Sequence, residues 1–164
     1  MSATGQAGKA VDRDFTAAIY GTIVVAGVVG SLGQADVSIG AVIASVLATS
    51  GVFWLAHVWA QTMSERLRDP QDFTWARFAT IARHEWSMVQ SATLPVLALL
   101  LAAFDVYSEE TAIDVALAIT IVQLFGWGLL VGRRTFERWP SALLSGVVNG
   151  AFGVVIVVLK TLIH

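Results

Sequence analysis

The chain has 164 residues, of which 56% are hydrophobic and 13% are charged, and its formal net charge is −2. This composition excludes an ordinary water-soluble domain, in which about a quarter of the residues are charged. The absence of cysteine excludes disulfides, a thiol nucleophile and Cys-ligated metal centres, and with three histidines and no basic cluster we expect no cofactor, no metal and no nucleic-acid partner.

Five apolar segments are each long enough to cross a bilayer as a helix, which takes roughly 20 mostly apolar residues. Barrel strands would alternate apolar and polar residues, and these segments do not. The sequence therefore predicts an all-α transmembrane bundle of five spans within one domain, residues 15–164, preceded by a disordered cytoplasmic N-terminus over residues 1–14. The predicted spans are residues 15–33, 37–63, 86–104, 112–131 and 141–163.

The connection between the second and third spans carries a helical pattern of its own. Asp72 can cap a helix start, and Trp75, Phe78 and Ile81 then recur at spacing three with polar residues on the other face. This pattern predicts a cytoplasmic amphipathic helix over about residues 72–84. It would either lie on the lipid headgroups or pack beneath the bundle.

The third span contains a proline that predicts a kink. Pro95 cannot donate a hydrogen bond to the carbonyl of Ser91, four residues earlier. We expect Ser91, Thr93 or a water molecule to satisfy that carbonyl.

The basic residues are distributed very unequally between the two sides of the predicted bundle. Nine of the ten Lys and Arg residues fall on one side, namely Lys9, Arg13, Arg66, Arg68, Arg77, Arg83, Arg133, Arg134 and Arg138. Cytoplasmic loops carry the excess of Lys and Arg in membrane proteins. The sequence therefore predicts a multi-pass plasma-membrane protein with a cytoplasmic N-terminus and an outside C-terminus.

A polar stripe follows one face of the second span. Its members recur at spacings of three and four: Ser50, Trp54, His57, Gln61, Glu65 and Arg68. Polar groups in hydrocarbon are expensive, so we expect this face to point into the bundle or into a water-filled cavity. At its end, Glu65 and Arg68 are predicted to form an interfacial ion pair.

Polar residues on the other spans could meet this stripe. The predicted cavity-lining set is Tyr20, His57, Gln61, Gln90, Gln123 and Asn149. An imidazole can exchange a proton near neutral pH, so His57 could take part in proton movement. The same residues could equally serve packing, because helices in lipid associate through small residues and interhelical hydrogen bonds.

Two runs of sequence resemble a known group of proteins. The runs Y-G-T-I-V-V at Tyr20–Val25 and F-W-L-A-H-V-W-A at Phe53–Ala60 are similar to those of small, uncharacterised actinobacterial multi-pass integral membrane proteins. The resemblance implies a helical membrane bundle and no particular activity.

Two hypotheses of function remain open. The first is a transport or channel-type protein that moves protons or small solutes through the polar cavity, and we expect it to form a homo-oligomer. The alternative is a non-catalytic scaffold or accessory subunit that docks a membrane or cytoplasmic protein through the loop at residues 69–85. An enzyme is less favoured, because the sequence offers no catalytic residue, nucleophile or metal set.

Overall fold

The computed structural model describes residues 3–33, 37–68, 74–136 and 138–163. Over these residues the fold is all-helical, as predicted. The helices of the described part are α1 Ala3–Leu32, α2 Ile39–Arg68, α3 Trp75–His84, α4 Trp86–Gln90, α5 Thr93–Ala103, α6 Glu109–Phe136 and α7 Trp139–Ile163.

Several of these helices are long and apolar enough to cross a membrane. Within the described residues there are four such segments, Phe15–Leu32, Ile39–Leu67, Glu109–Phe136 and Trp139–Leu159. Helices α3 and α4 form a further candidate together with α5, from which they are bent by 47°. The chain therefore has four candidate spans, or five if the bent pair is one span, and the five-span count stays a prediction.

The helices extend beyond the predicted spans at several ends. The backbone of α1 is helical from Ala3, where the sequence predicts a disordered N-terminus, and α2 continues to Arg68. The length of an apolar run marks contact with hydrocarbon, whereas the backbone hydrogen bonds of a helix can continue past that boundary. Hydropathy therefore underestimates helix length at polar ends.

Helix α3 begins with a side-chain cap and rests against α2. The Thr74 side chain accepts a hydrogen bond from the backbone N–H of Arg77 at 3.3 Å, as N-cap residues do. Asp72, the predicted cap, lies outside the described residues. The indole Nε1 of Trp54 on α2 donates to the Ala82 carbonyl at 3.0 Å, which ties the two helices together. That α3 lies in a membrane interface stays a prediction.

The third predicted span is broken where the proline predicts a kink. A turn at Ser91 and Ala92 separates α4 from α5, and Pro95 lies in the first turn of α5. Because Pro95 lacks an N–H, the Ser91 carbonyl loses its normal helical donor. The 47° bend is the consequence.

Helices α6 and α7 form the most extensive helix pair, and small residues allow their close approach. A Cβ added to Gly128 would lie 2.7 Å from the Cβ of Asn149, and one added to Gly132 would lie 2.7 Å from the Cα of Ala142. Real Cβ atoms do not come so close to these neighbours, so both positions require glycine at this backbone separation.

The apolar core occupies the half of the bundle near the α1–α2 connection. Fully buried members come from several helices and include Val25, Val29, Val46, Leu99 and Ala116. The other half contains the end of α2, helix α3 and the α6–α7 connection, with their arginines, and is called the arginine-rich half below. The predicted site residues on α1, α2 and α4 fall in this half.

Candidate functional site: polar residues of the arginine-rich half

Tyr20 of α1 and His57 of α2 lie side by side in the arginine-rich half. Their ring centroids are 5.0 Å apart, and the ring of Phe53 lies 5.9 Å from that of Tyr20. His57 Nδ1 lies 3.1 Å from the carbonyl oxygen of Phe53, one turn earlier on α2. A carbonyl only accepts, so Nδ1 donates in this bond, and Nε2 is the ring nitrogen that can take up a proton.

This aromatic pair lies at the surface of a single copy. Tyr20 is 40% exposed and His57 is half-buried. On α1, Thr16, Gly27 and Ser31 are exposed as well, and at 100° per residue they fall within an arc of about 60° that includes Tyr20. The exposed stripe of α1, defined by these four residues, is therefore small and polar rather than apolar.

The predicted polar stripe of α2 is inward-facing only at one end. Ser50 is buried, whereas Trp54, His57, Gln61 and Glu65 are half-buried. Gln61 follows His57 by four residues, so the two side chains share a face of α2.

Gln123 of α6 meets the break between α4 and α5. Its Nε2 donates to the Ser91 carbonyl at 3.2 Å, which is the acceptor that Pro95 leaves without a helical donor. Gln123 Oε1 and the indole Nε1 of Trp127 are both buried and have no hydrogen-bond partner among the described residues. Gln123 therefore supplies the donor that the Ser91 carbonyl lacks, while its own Oε1 has no hydrogen-bond partner among the described residues.

Among the described contacts, none joins Asn149 or Gln90 to the Tyr20–His57 pair. Asn149 is half-buried against α6, and its Nδ2 donates to the carbonyl of Ser145 on its own helix at 2.9 Å. Gln90 is exposed at the end of α4. Of the six predicted cavity residues, the structure brings Tyr20 and His57 into contact, and Gln61 follows His57 on the same face of α2.

An ion pair at the end of α2 joins this helix to α3. Glu65 Oε2 accepts a hydrogen bond from Arg77 Nε of α3 at 2.9 Å. The side chain of Arg68 lies outside the described residues, so the predicted Glu65–Arg68 pair stays a prediction. The Glu65–Arg77 pair connects two helices.

Two contacts of this region have only partial signals in the sequence. Pro95 indicates a carbonyl in need of a donor, but nothing in the spacing selects Gln123 on a different helix. Arg77 belongs to the polar face of α3, but its pairing with Glu65 depends on how α3 folds back on α2. Both contacts are tertiary, which explains why periodicity alone does not find them.

Within the described residues, no group of three or more His, Asp or Glu side chains could hold a metal ion. Comparisons with protein families, with characterised proteins and with solved structures find no match. The resemblance to actinobacterial membrane proteins therefore stays a prediction.

Proposed function

We propose that the chain is a small plasma-membrane protein of transport or channel type that works as a homo-oligomer, with its polar pathway at the contact between copies. The observation that carries the proposal is the position of the Tyr20–His57 pair at the surface of a single bundle. A pathway lined by these residues has to be completed by a second copy, because lipid would otherwise cover it.

The energetics of lipid support this arrangement. Polar side chains inside a membrane are costly and usually face protein or a water-filled cavity. Beside the phenol of Tyr20, the exposed stripe of α1 presents a glycine and two hydroxyl-bearing residues, which are small residue types that favour close helix approach. The Ser31 hydroxyl donates to the Val28 carbonyl of its own helix at 3.0 Å. A second copy would bury this stripe and enclose His57.

The hydrogen bonding of His57 suits proton movement. Its Nδ1 is held by the Phe53 carbonyl, so the ring has a fixed orientation against Tyr20 and presents Nε2. Nε2 can therefore accept a proton and release it again, and passage across the contact requires the second copy to present the next acceptor beside it.

Flux measurements test the transport proposal. The purified chain in liposomes should pass protons or small cations between about pH 5 and pH 8, and His57→Ala should reduce that flux by at least tenfold. His84→Ala provides the matched control, since His84 lies on α3, which contributes neither ring of the pair, and it should retain the parent flux. Absence of flux from the parent chain would count against transport.

Cross-linking tests the contact between copies separately. The chain has no cysteine, so a single Gly27→Cys variant gives an unambiguous disulfide. A Cβ at Gly27 meets nothing within 4 Å, so the substitution should not disturb the fold. We expect a cross-linked dimer from Gly27→Cys and none from Leu97→Cys, which places the thiol on an exposed position of α5. Equal cross-linking of both variants would contradict a defined contact.

The proposed orientation is N-terminus inside and C-terminus outside, with five spans, because the arginines of the described helix ends lie on one side. Reporter fusions at Glu109 and at the C-terminus should both report an outside location. A cytoplasmic signal from either fusion would refute the five-span arrangement.

An accessory or scaffold role through residues 69–85 is the second candidate. It is favoured by the exposed aromatic side of α3, where Trp75 is 79% exposed and packs edge-on against Phe78 at 5.9 Å. Residues 69–73 of that segment lie outside the described residues. Purification in mild detergent separates the two roles, since a stoichiometric partner favours the accessory subunit and a homo-oligomer favours transport.

A further inference from the structure

An apolar groove runs along the outer side of α2 and is closed at one end by α3. It encloses about 570 Å³ and is lined chiefly by Val52, Leu55, Trp59, Arg66, Trp75 and Phe78. These side chains do not belong to the core: Val52 is 66% exposed and Trp59 is 61% exposed in a single copy.

The α3 wall of the groove is fixed in place by two contacts with α2. The Trp54 indole donates to the Ala82 carbonyl, and Arg77 pairs with Glu65. Neither contact closes the groove, so Trp75 and Phe78 lie opposite the groove-lining residues of α2.

The length of the groove matches one leaflet of a bilayer. Val52 lies near the middle of the candidate span Ile39–Leu67, and Arg66 follows fourteen residues later. At 1.5 Å per residue this separation is about 21 Å. Half of a bilayer measures about 15 Å of hydrocarbon plus about 6 Å of headgroup region. With Val52 at the midplane, Arg66 lies at the level of the headgroups.

We propose that this groove is a binding site for one phospholipid with an anionic headgroup, in the leaflet at the arginine-rich end. An acyl chain would lie along Leu55 and Trp59, and the headgroup phosphate would meet the guanidinium of Arg66. A guanidinium has five N–H donors, so it can bind phosphate oxygens in addition to the interaction that Arg66 makes within the chain. A guanidinium pairs well with phosphate oxygens, and a headgroup with net negative charge is favoured over a zwitterionic one. This site is independent of the proposed transport pathway, which lies on another face of α2.

The residue sizes in the groove favour an acyl chain over a protein helix. Helices in lipid pack closely through small residues, as Gly128 and Gly132 do between α6 and α7. The groove instead presents Trp59, Trp75 and Phe78, whose large rings would hold a helix backbone at a distance. A flexible acyl chain can fill the irregular space between such rings.

Fluorescence quenching by brominated lipids tests the site with the full chain in phosphatidylcholine nanodiscs. Trp59 and Trp75 are the reporters, because both line the groove. Phosphatidylglycerol with brominated acyl chains should quench them at a mole fraction about fivefold lower than brominated phosphatidylcholine requires, the factor expected for one arginine near a membrane surface.

Variants at Arg66 show whether the preference arises in the groove. Arg66→Gln should abolish the fivefold preference, Arg66→Lys should retain part of it, and the matched control Arg138→Gln should leave it unchanged, since Arg138 is exposed at the start of α7. Replacing both reporters, with Trp59→Phe and Trp75→Phe, should remove the preferential quenching. An unfolding titration of each variant confirms that it is folded.

Three outcomes would overturn the proposal. The first is equal quenching by the two lipids, which would mean only bulk lipid at the groove. The second is a preference that persists in Arg66→Gln. The third is a co-purifying protein that shields Trp59 and Trp75 from both lipids, which would assign the groove to a protein partner instead.

Discussion

Gln123 and Pro95 should be energetically coupled although they lie on different helices. Pro95 deprives the Ser91 carbonyl of its helical donor, and Gln123 Nε2 supplies another at 3.2 Å. Pro95→Ala restores a backbone N–H at the right position, so the carbonyl no longer depends on Gln123. The effect of Gln123→Leu should therefore depend on which residue occupies position 95.

The single variant Gln123→Leu is a poor test because two effects oppose each other. Loss of the hydrogen bond costs about 1 kcal/mol, while removal of the buried, unsatisfied Oε1 recovers part of a penalty of about 1–3 kcal/mol. Removal of the unsatisfied Gln123 Oε1 has the same effect on stability with either Pro or Ala at position 95, so it cancels in a double-mutant cycle. The cycle isolates the bond to the Ser91 carbonyl.

The assay is unfolding by SDS in mixed micelles, followed by tryptophan fluorescence, for the parent chain, both single variants and the double variant. Gln123→Leu should lower the free energy of unfolding by about 0.5–1.5 kcal/mol more in the parent than in the Pro95→Ala background. This difference lies within the range of hydrogen bonds measured in membrane proteins. Gln61→Leu provides the matched control, because it makes the same change on α2 and should be additive with Pro95→Ala.

A cycle for Gln123 and Pro95 that is additive within about 0.3 kcal/mol would refute the reasoning. It would mean that the Ser91 carbonyl finds another donor, and that Gln123 contributes to packing alone.

Two further predictions concern helix contacts. In α6, Gly128→Ala should destabilise the bundle by about 1–3 kcal/mol, because its Cβ would lie 2.6 Å from the carbonyl oxygen of Ser145. The control Gly126→Ala, whose Cβ meets nothing within 4 Å, should be neutral or stabilising by up to about 1 kcal/mol in the same SDS titration. Trp54→Phe keeps an aromatic ring but removes the 3.0 Å bond to the Ala82 carbonyl, so amide exchange in α3 should accelerate about fivefold, as loss of about 1 kcal/mol predicts. Unchanged exchange would show that this bond does not hold α3 on α2.

The all-helical fold could be predicted because lipid leaves few choices. Runs of about 20 apolar residues in hydrocarbon must satisfy their backbone internally, and the structure has helices at each of the predicted spans. The kink at Pro95 was equally accessible, because it follows from the missing N–H of one residue. Both inferences depend on the backbone chemistry of a single segment, so they can be made from the residues of that segment alone.

The contacts of the candidate site could be predicted only in part. Helical spacing places His57 and Gln61 on one face of α2, but it does not say which neighbour that face meets. In the structure, His57 packs against Tyr20, Gln123 donates a hydrogen bond to the Ser91 carbonyl, and Gln90 is exposed. These outcomes depend on the rotation of each helix within the bundle, which is set by packing around α1 and is not written in any one segment.

The polar residues of the spans therefore divide into two groups with different physical roles. Gln123 and Asn149 make hydrogen bonds inside the bundle, so their presence in lipid is explained by packing. On the exposed stripe of α1, Tyr20 packs against the rings of Phe53 and His57 but remains 40% exposed, and the Ser31 hydroxyl donates to the Val28 carbonyl of its own helix at 3.0 Å. Since lipid is a poor partner for an exposed phenol, this stripe is the face on which the proposed homo-oligomer would form its contact, with His57 beside it.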